Sequence, residues 1–312
     1  MMEKGLFMID MRVKIGKTTL KTPIIGASGC SGWGVELSKF NDFEKIGGFV
    51  TKSITLKKKV GNQNPRIREV YGGILNSIGL ENNGVEYFIE NILPQIKNYR
   101  CAKFLNLAPF SKDDLVSMIK TLDSNEGFDG YEVNISCPNI SNKKVNFNSS
   151  FDDSKKLLKG IRKLTEKTLL LKLSPSYEES FKIAKFAERE GFDGISFTNT
   201  YIGTLVDVEK REFVFKNIQA GFSGPAIKPL SLFNVYKMVK SVKIPVIGIG
   251  GITTLNDLLE FLVIGATACQ IGTGVLVNPG ILEELSKSLE EYMKERKIKK
   301  IKEIIGSIKE RL

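Results

Sequence analysis

Residues 134–139 read N-I-S-C-P-N, so a cysteine stands beside a proline directly after an apolar segment. The chain contains no histidine, which excludes the commonest general base and every histidine-containing triad. Acid–base chemistry must therefore use Cys, Lys, Asp, Glu or Tyr. An average cysteine is a buried structural thiol. Cys137, however, follows the expected strand end at Ser136 and opens a polar loop, so it is a candidate proton acceptor.

Hydrogen-bonding side chains and glycines stand at the ends of the apolar segments of the chain. They are Ser28, Lys52-Ser53, Asn106, Asn134, Lys172, Thr198-Asn199, Gly250-Gly251 and Gly272-Thr273. Polar residues at strand ends are ordinary, but amines and amides at the last apolar positions need partners when they are buried. The pattern favours a functional rim at the carboxyl ends of the strands.

Two glycine-rich segments, I-G-I-G-G-I-T-T at 247–254 and I-G-T-G at 271–274, each close a predicted strand and lead toward a helix. Glycines allow close backbone approach, and amides at a helix N-terminus bind phosphate. Neither segment matches a P-loop or a dinucleotide fingerprint. A mononucleotide cofactor such as FMN therefore fits better than NAD on a Rossmann fold.

Short segments rich in Val and Ile alternate with amphipathic segments of helical period. The strand candidates are residues 23–28, 48–53, 102–108, 130–136, 168–173, 194–199, 244–250 and 266–272, and the helix candidates include 113–122, 152–165, 177–190, 230–242 and 254–264. This alternation predicts parallel strands with crossover helices. Eight near-continuous apolar strands favour an α/β fold of the (β/α)8 TIM-barrel type over an open sheet.

We expect one domain over residues 1–312, because no shift in composition marks a second one. The longest segments predicted to be irregular are 53–83, 138–150 and 201–229, and loops of that length are usually lids or binding loops. In the lysine-rich tail, Ile298, Ile301, Ile304, Ile305 and Ile308 recur at helical spacing, which predicts a C-terminal amphipathic helix.

The four cysteines are scattered and never form C-x-x-C, so neither a disulfide framework nor a metal site is predicted, and an iron–sulfur cluster within this chain is disfavoured.

No stretch of 18 apolar residues is present, and the polar N-terminus does not resemble a signal peptide, so a cytoplasmic location is expected. The net charge of +11 invites a nucleic-acid interpretation, but a lysine-rich solvated surface is the preferred explanation.

The sequence resembles the class 1 dihydroorotate dehydrogenases almost from end to end. The motifs that carry the resemblance are ASGCSGWG (27–34), TKSIT (51–55), NPRIREVYGGILNSIGLENNG (64–84), NISCPN, LKLSP, TNT, GFSGPAIKP (221–229), IGIGG and IGTG. One departure is Asn82-Asn83, where the family pattern leads us to expect a proline.

The resemblance implies a (β/α)8 barrel with FMN at its carboxyl rim. The residues it implies around FMN are Ser28, Lys52, Ser53, Asn106, Asn134, Lys172, Thr198, Gly224, Gly250, Gly251, Gly272 and Thr273. Those it implies around dihydroorotate are Lys52, Asn76, Ser77, Ile78, Gly79, Leu80, Asn134, Asn139, Asn199 and Thr200. Cys137 falls on the family's catalytic base, and no metal is implied.

The class 1 enzymes pass their electrons to one of two acceptors, NAD or fumarate. The segments SIGLENNG, TNT and SGPAIKP look more like the NAD-linked subclass, whose catalytic subunit works with a partner that carries FAD and a two-iron two-sulfur cluster. This implies a homodimer joined to electron-transfer subunits in a heterotetramer, acting in de novo pyrimidine biosynthesis. The alternatives are the fumarate-linked homodimer, another FMN barrel such as a tRNA dihydrouridine synthase or dihydropyrimidine dehydrogenase, and a non-catalytic flavin-binding scaffold.

Overall fold

A closed barrel of parallel strands forms the centre of the computed structural model, which describes residues 9–135, 150–175 and 179–310. In chain order the strands are β1 Ile24–Gly26, β2 Gly48–Val50, β3 Ala102–Leu107, β4 Gly130–Asn134, β5 Thr168–Lys172, β6 Gly194–Phe197, β7 Val246–Ile249 and β8 Ala268–Ile271. Each strand pairs with the next along the chain, and β8 pairs with β1. The predicted (β/α)8 barrel is confirmed.

Every residue of the barrel strands is buried, including the polar ones. One face of each strand fills the barrel and the other lies under helices, which explains why the strands are near-continuous apolar runs without alternation. The hairpin of Val13–Ile15 and Thr18–Leu20 lies at the amino ends of the strands, where Thr18 Oγ1 lies 2.7 Å from Thr168 Oγ1.

Helices surround the barrel. They are α1 Lys112–Asp123, α2 Phe151–Leu158, α3 Ser180–Arg189, α4 Lys228–Ser241, α5 Leu255–Val263, α6 Thr273–Val277 and α7 Ile281–Glu295, and the consecutive helical segments Val85–Tyr87, Phe88–Ile92 and Leu93–Ile96 lie between β2 and β3. Side chains of Ser111, Ser150 and Thr254 cap α1, α2 and α5. No helix in the described ranges is long and apolar enough to cross a membrane.

The helix predicted at 152–165 is shorter in the structure. It ends at Leu158, because Gly160 adopts a left-handed φ of 79°, and a 3-10 turn at Ile161–Leu164 follows.

Two of the three segments predicted to be irregular contain strands. Tyr201–Gly203, Ala220–Ser223, Gly73–Asn76 and Ile67–Val70 form an antiparallel sheet in that order, and we call it the excursion sheet. Its strands are short, and one of its pairings joins distant segments, as Asn76 pairs with Gly221. Periodicity in a local window misses such strands. Residues 138–149 of the third segment lie outside the described residues.

The amphipathic helix predicted over the lysine-rich tail is wrong. In the tail as far as residue 310, the last α-helix ends at Glu295, Lys297 takes a left-handed φ of 57°, and only a 3-10 turn at Ile301–Glu303 follows. The tail pairs instead with the N-terminal segment, because Asp10 N–H donates to Lys299 O (2.8 Å) and Ile301 N–H donates to Asp10 O (2.9 Å). Ile301 and Ile304 are buried by this packing, not by a helical face.

Candidate active site

A cavity of about 410 Å³ opens at the carboxyl ends of the barrel strands. Strand ends, the strand 73–76 and the loop after it, and the glycine-rich turns after β7 and β8 all contribute to its wall. Ligands of (β/α)8 barrels bind at this end.

Most residues that the sequence singled out line this cavity. They are Ser28, Lys52, Ser53, Asn76, Ile78, Gly79, Leu80, Asn134, Lys172, Thr198, Asn199, Thr200, Gly224, Gly250, Gly251, Gly272 and Thr273. Asn106 and Ser77 are buried behind the wall and do not line it. Cys137 and Asn139 lie outside the described residues.

A second, larger hollow of about 680 Å³ lies at the opposite end of the barrel. It is lined by both cations and anions, and two of its cations are paired, Lys17 with Glu166 and Arg100 with Glu44. The amino-terminal face of such barrels serves stability, not catalysis. We therefore place the chemistry at the carboxyl rim.

The floor of the cavity is a hydrogen-bonded set of polar side chains from β3 and β4 and from the segment after β2. Asn106 Oδ1 accepts a hydrogen bond from Ser53 Oγ (2.6 Å) and a longer one from Asn134 Nδ2 (3.4 Å). Asn106 is fully buried, so it acts by holding Ser53 and Asn134 in place, not by direct contact from the cavity wall. Lys172, only 5% exposed, adds a positive charge beside Asn134, its register partner on β4.

The glycine-rich turn after β7 forms one corner of the cavity. Gly250 and Gly251 have φ of 129° and 76°, where side chains are strained. A Cβ on Gly250 would collide with Ser231 Oγ, and one on Gly251 would lie 2.8 Å from the backbone nitrogen of Lys228. Thr273 on the neighbouring turn donates to Ser223 Oγ (2.9 Å). The turn is therefore packed too closely against its neighbours to carry side chains, and its backbone lines the cavity, as an anion site requires.

Asp257 and Lys228 hold this corner from behind. Asp257 accepts hydrogen bonds from Lys228 Nζ (2.7 Å) and from the backbone N–H groups of Thr253 (3.0 Å) and Thr254 (2.9 Å). Burial by itself would raise the pKa of Asp257, but the bonds from Lys228, Thr253 and Thr254 outweigh it and lower that pKa to about 2.

Replacing Asp257 by asparagine should lower the free energy of unfolding at pH 7 by about 1–2 kcal/mol, the size of a lost helix cap with a charged partner. A carboxyl whose pKa is depressed on folding stabilises the fold above its unfolded pKa near 3.8 and loses that effect as pH falls toward about 2. Urea unfolding at pH 7 and at acid pH should therefore give a difference between the two proteins that shrinks below pH 4. The control is Asp113→Asn, a change at an exposed residue in the first turn of α1, which should lower the free energy of unfolding by less than about 0.5 kcal/mol. Equal losses at both pH values would contradict this account.

The loop after residues 73–76 forms another part of the cavity wall. Gly79 and Leu80 have left-handed φ of 75° and 60°, which turn the chain tightly along the cavity. Asn62 Nδ2 donates to Ser77 Oγ (3.0 Å) and to Ser77 O (3.1 Å), so Ser77 braces the loop from outside.

Asn82, the departure from the family pattern, anchors the same loop. It is 3% exposed, its Nδ2 donates to Thr55 Oγ1 (2.8 Å) and Leu80 O (2.8 Å), and its Oδ1 accepts from Gly84 N–H (2.8 Å). The asparagine thus replaces the rigidity of a proline with hydrogen bonds to the backbone.

Lys52, the second lysine of the cavity, lies beside Trp33 in the cavity lining. Its Nζ lies 5.4 Å from the centroid of the Trp33 ring, within cation–π range. This contact directs the ammonium group along the wall, where it is available to a carboxylate.

Cys30 is a cavity residue that the sequence did not single out. Burial raises the pKa of its thiol to about 11, although the charge of Lys172 acts to lower it. The thiol is therefore protonated at neutral pH, so Cys30 is a poor proton acceptor.

A second missed group lies below the floor. Glu132 and Gln270, both fully buried, connect β4 to β8 through a hydrogen bond of 2.6 Å between Gln270 Nε2 and Glu132 Oε2. The available signal was a charged or amide residue inside an otherwise apolar strand, GYEVN and ACQI.

A model of the dihydroorotate dehydrogenase family matches residues 10–293 of this chain. The chain belongs to the dihydroorotate dehydrogenase family. It is similar, at 42% identity over 96% of this chain and 99% of the relative, to a protein of Thermoanaerobacter sp. (strain X514) named dihydroorotate dehydrogenase B (NAD(+)), catalytic subunit. Proteins of the same name from Trichlorobacter lovleyi and Phocaeicola vulgatus are 40% and 39% identical, each over 96% of this chain and 98% and 99% of their own length.

These relatives confirm the family expected from the motifs. They also favour the NAD-linked subclass over the fumarate-linked one, as the segments SIGLENNG, TNT and SGPAIKP predicted.

Proposed function

We propose that this chain is the catalytic subunit of an NAD-linked dihydroorotate dehydrogenase, which oxidises (S)-dihydroorotate to orotate in de novo pyrimidine biosynthesis. The observation that carries the proposal is the cavity at the carboxyl rim, which joins a cationic amide-rich floor to a glycine corner in a chain of this family.

The residues present fit FMN. The corner of Gly224, Gly250, Gly251, Gly272 and Thr273 is rich in backbone, because side chains at Gly224, Gly250 and Gly251 would collide with their neighbours, and this suits the phosphate. Ser28, Lys52, Ser53, Asn106, Asn134, Lys172 and Thr198 would surround the ring and ribitol, with Asn106 acting from behind. When bound, FMN supplies the acceptor for the hydride that dihydroorotate loses from C6.

Replacing Gly251 by alanine should weaken FMN binding at least about tenfold, since the new methyl group meets the backbone of Lys228 and pushes the turn into the cavity. Quenching of FMN fluorescence on titration into the stripped protein measures the dissociation constant. Gly160→Ala is the matched control, because Gly160 also has a positive φ of 79° but no atom of the described residues lies within 4 Å of its added Cβ. Equal effects of the two changes would show that backbone strain, not the turn, is responsible.

The substrate residues would be Lys52, Asn76, Ser77, Ile78, Gly79, Leu80, Asn134, Asn139, Asn199 and Thr200. Amide side chains donate and accept in fixed directions, which suits the imide and carboxylate of dihydroorotate. The ammonium of Lys52, directed along the wall by Trp33, would pair with the carboxylate. Ser77 would act by bracing the loop, because it is buried behind it.

Cys137 would take the proton from C5 of the substrate. The support is its match to the family's base in NISCPN and the neutral state of Cys30, the cavity thiol among the described residues. A base on the face of the substrate away from FMN lets hydride and proton leave from opposite sides.

An anaerobic titration of the purified chain with dihydroorotate, followed by flavin absorbance, tests this function. Stoichiometric bleaching that fumarate and NAD leave unchanged supports an NAD-linked catalytic subunit awaiting its partner. Bleaching reversed by fumarate would instead support the fumarate-linked homodimer. A flavin-loaded chain that does not bleach would overturn the assignment.

The partner would be an electron-transfer subunit carrying FAD and a two-iron two-sulfur cluster, in a heterotetramer with a homodimer of this chain. The name "catalytic subunit" of the relatives and the scattered cysteines support this. Adding such a subunit should make bleached flavin reoxidise with NAD.

For the homodimer, the support is an apolar surface on α4 and the excursion sheet. Leu230, Phe233 and Ile202 are 56%, 62% and 41% exposed, and Asn234 on α4 donates to Tyr201 OH (3.1 Å), so helix and sheet adjoin. Sedimentation of the purified chain measures its mass.

A further inference from the structure

The carboxylate of Glu132 is buried beneath the cavity floor, and the proposed chemistry does not use it. Glu132 is 0% exposed and lies at the middle of β4. Its Oε1 accepts from Asn106 Nδ2 (2.7 Å), its Oε2 accepts from Gln270 Nε2 (2.6 Å), and Lys172 Nζ lies 3.7 Å from Oε1. Since β4 and β8 are on opposite sides of the barrel, this cluster crosses the barrel interior.

The surroundings of Glu132 suit an ionised carboxylate. Both oxygens face amide or ammonium donors, and a charged carboxylate is the form that only accepts. A well-packed apolar residue would stabilise a barrel interior as well as a buried ion pair does or better, so packing alone does not account for the charge.

The carboxylate of Glu132 controls two properties of the cavity floor, the orientation of the Asn106 amide and the net charge near Lys172. Because Asn106 Nδ2 is committed to Glu132, Asn106 Oδ1 must face upward, where it accepts from Ser53 Oγ and Asn134 Nδ2. The negative charge at 3.7 Å also offsets part of the positive charge that Lys172 brings to the cavity.

We infer that Glu132 is a positioning residue that sets the reduction potential of FMN by moderating the charge of Lys172 and fixing the Asn106 amide. The inference rests on the proposed binding of FMN in this cavity. It concerns the flavin potential and not the oxidation of dihydroorotate.

The first test is Glu132→Gln, measured as the potential of bound FMN in a reductive titration with dithionite against a reference dye. Without the negative charge of Glu132, the positive charge of Lys172 is no longer partly offset. The reduced flavin, which is more negative than the oxidised one, should therefore be favoured. We expect the ratio of dissociation constants for oxidised and reduced FMN to rise at least about tenfold, a potential increase of about 30 mV for two electrons. The new amide is tolerable because Gln270 Oε1 has no partner among the described residues and can accept from it after the Gln270 amide rotates.

Glu132→Asp keeps the charge and should keep the potential within about threefold of the wild-type ratio, while still disturbing the packing. Thr168→Val, at the other end of the strand that carries Lys172, removes a buried hydroxyl far from the floor and controls for a general loss of stability. If Glu132→Gln does not fold, Gln270→Lys places an ammonium against the same carboxylate and should raise the potential in the same direction.

A potential that is unchanged or lowered in Glu132→Gln or Gln270→Lys would overturn the inference. So would an equal shift in Thr168→Val or in Glu132→Asp, since a purely structural role predicts no dependence on charge. Dithionite, unlike dihydroorotate, reduces FMN in any flavoprotein. A wild-type chain that dithionite bleaches and dihydroorotate does not would therefore overturn the proposed function and leave the result on Glu132 standing.

Discussion

Serine in place of Cys137 lowers the rate of flavin reduction by dihydroorotate about 10²–10⁴-fold at neutral pH, the usual contribution of a positioned general base. A hydroxyl is far less acidic than a thiol, so it cannot take up the C5 proton as an alkoxide at this pH. The change is nearly isosteric, which leaves FMN and orotate binding in place. Stopped-flow absorbance of the flavin under anaerobic conditions gives the rate, and the visible spectrum on orotate addition gives binding.

Cys101→Ser is the matched control for this substitution. Cys101 lies at the amino ends of the strands, and burial raises the pKa of its thiol to about 12, so it takes no part in proton transfer. Its serine variant should reduce flavin at the wild-type rate. A Cys137→Ser enzyme that is as fast as the wild type would exclude Cys137 as the base, and Cys30 would then be the next thiol to replace.

The barrel was predictable from the sequence because its strands are buried on both faces. Segments such as T-L-L-L-K at β5 and V-I-G-I at β7 are uniformly apolar up to a polar or glycine end, and that signal is local. The same logic located the rim, since most of the polar residues predicted at the strand ends line the shared cavity, as Lys172 does.

What the sequence did not reveal depends on contacts between distant segments. The strands of the excursion sheet are exposed in part, and the sheet is completed by a pairing between distant segments, as between Ile74 and Ser223. The tail has the apolar period of a helix, yet pairing between Asp10 and the segment around Lys300 overrides it. Tertiary contacts of this kind outweigh local propensity.

The Asn106 prediction illustrates the limit at the level of single side chains. The sequence identified Asn106 as a polar residue near the end of a strand. It could not show how deep the side chain lies, because periodicity does not distinguish the two faces of a strand when both are buried. Asn106 therefore lies behind the cavity wall, and its hydrogen bond to Glu132, its register partner on the neighbouring strand β4, could not be assigned from the sequence.

Methionine in place of Lys172 should slow flavin reduction by dihydroorotate about 10²–10³-fold, the cost of removing a preorganised charge from a site where negative charge develops. It should also lower the flavin potential, the reverse of the expected effect of Glu132→Gln. The substitution should also lower the stability of the fold, because Glu132 loses its cationic partner while it remains fully buried. Breaking one side of a buried ion pair costs about 3–5 kcal/mol, and the two amide donors that remain place this case near the lower value.

The double variant Lys172→Met with Glu132→Gln separates these two consequences. Removing the stranded carboxylate should recover most of the lost stability in urea unfolding, because no buried charge is left unpaired. It should not recover the rate, because the positive charge that favours the reduced flavin is still missing. If the double variant recovers both the rate of flavin reduction and the stability, Lys172 serves only the fold. If it recovers the stability but not the rate, Lys172 acts in the chemistry and Glu132 supports it.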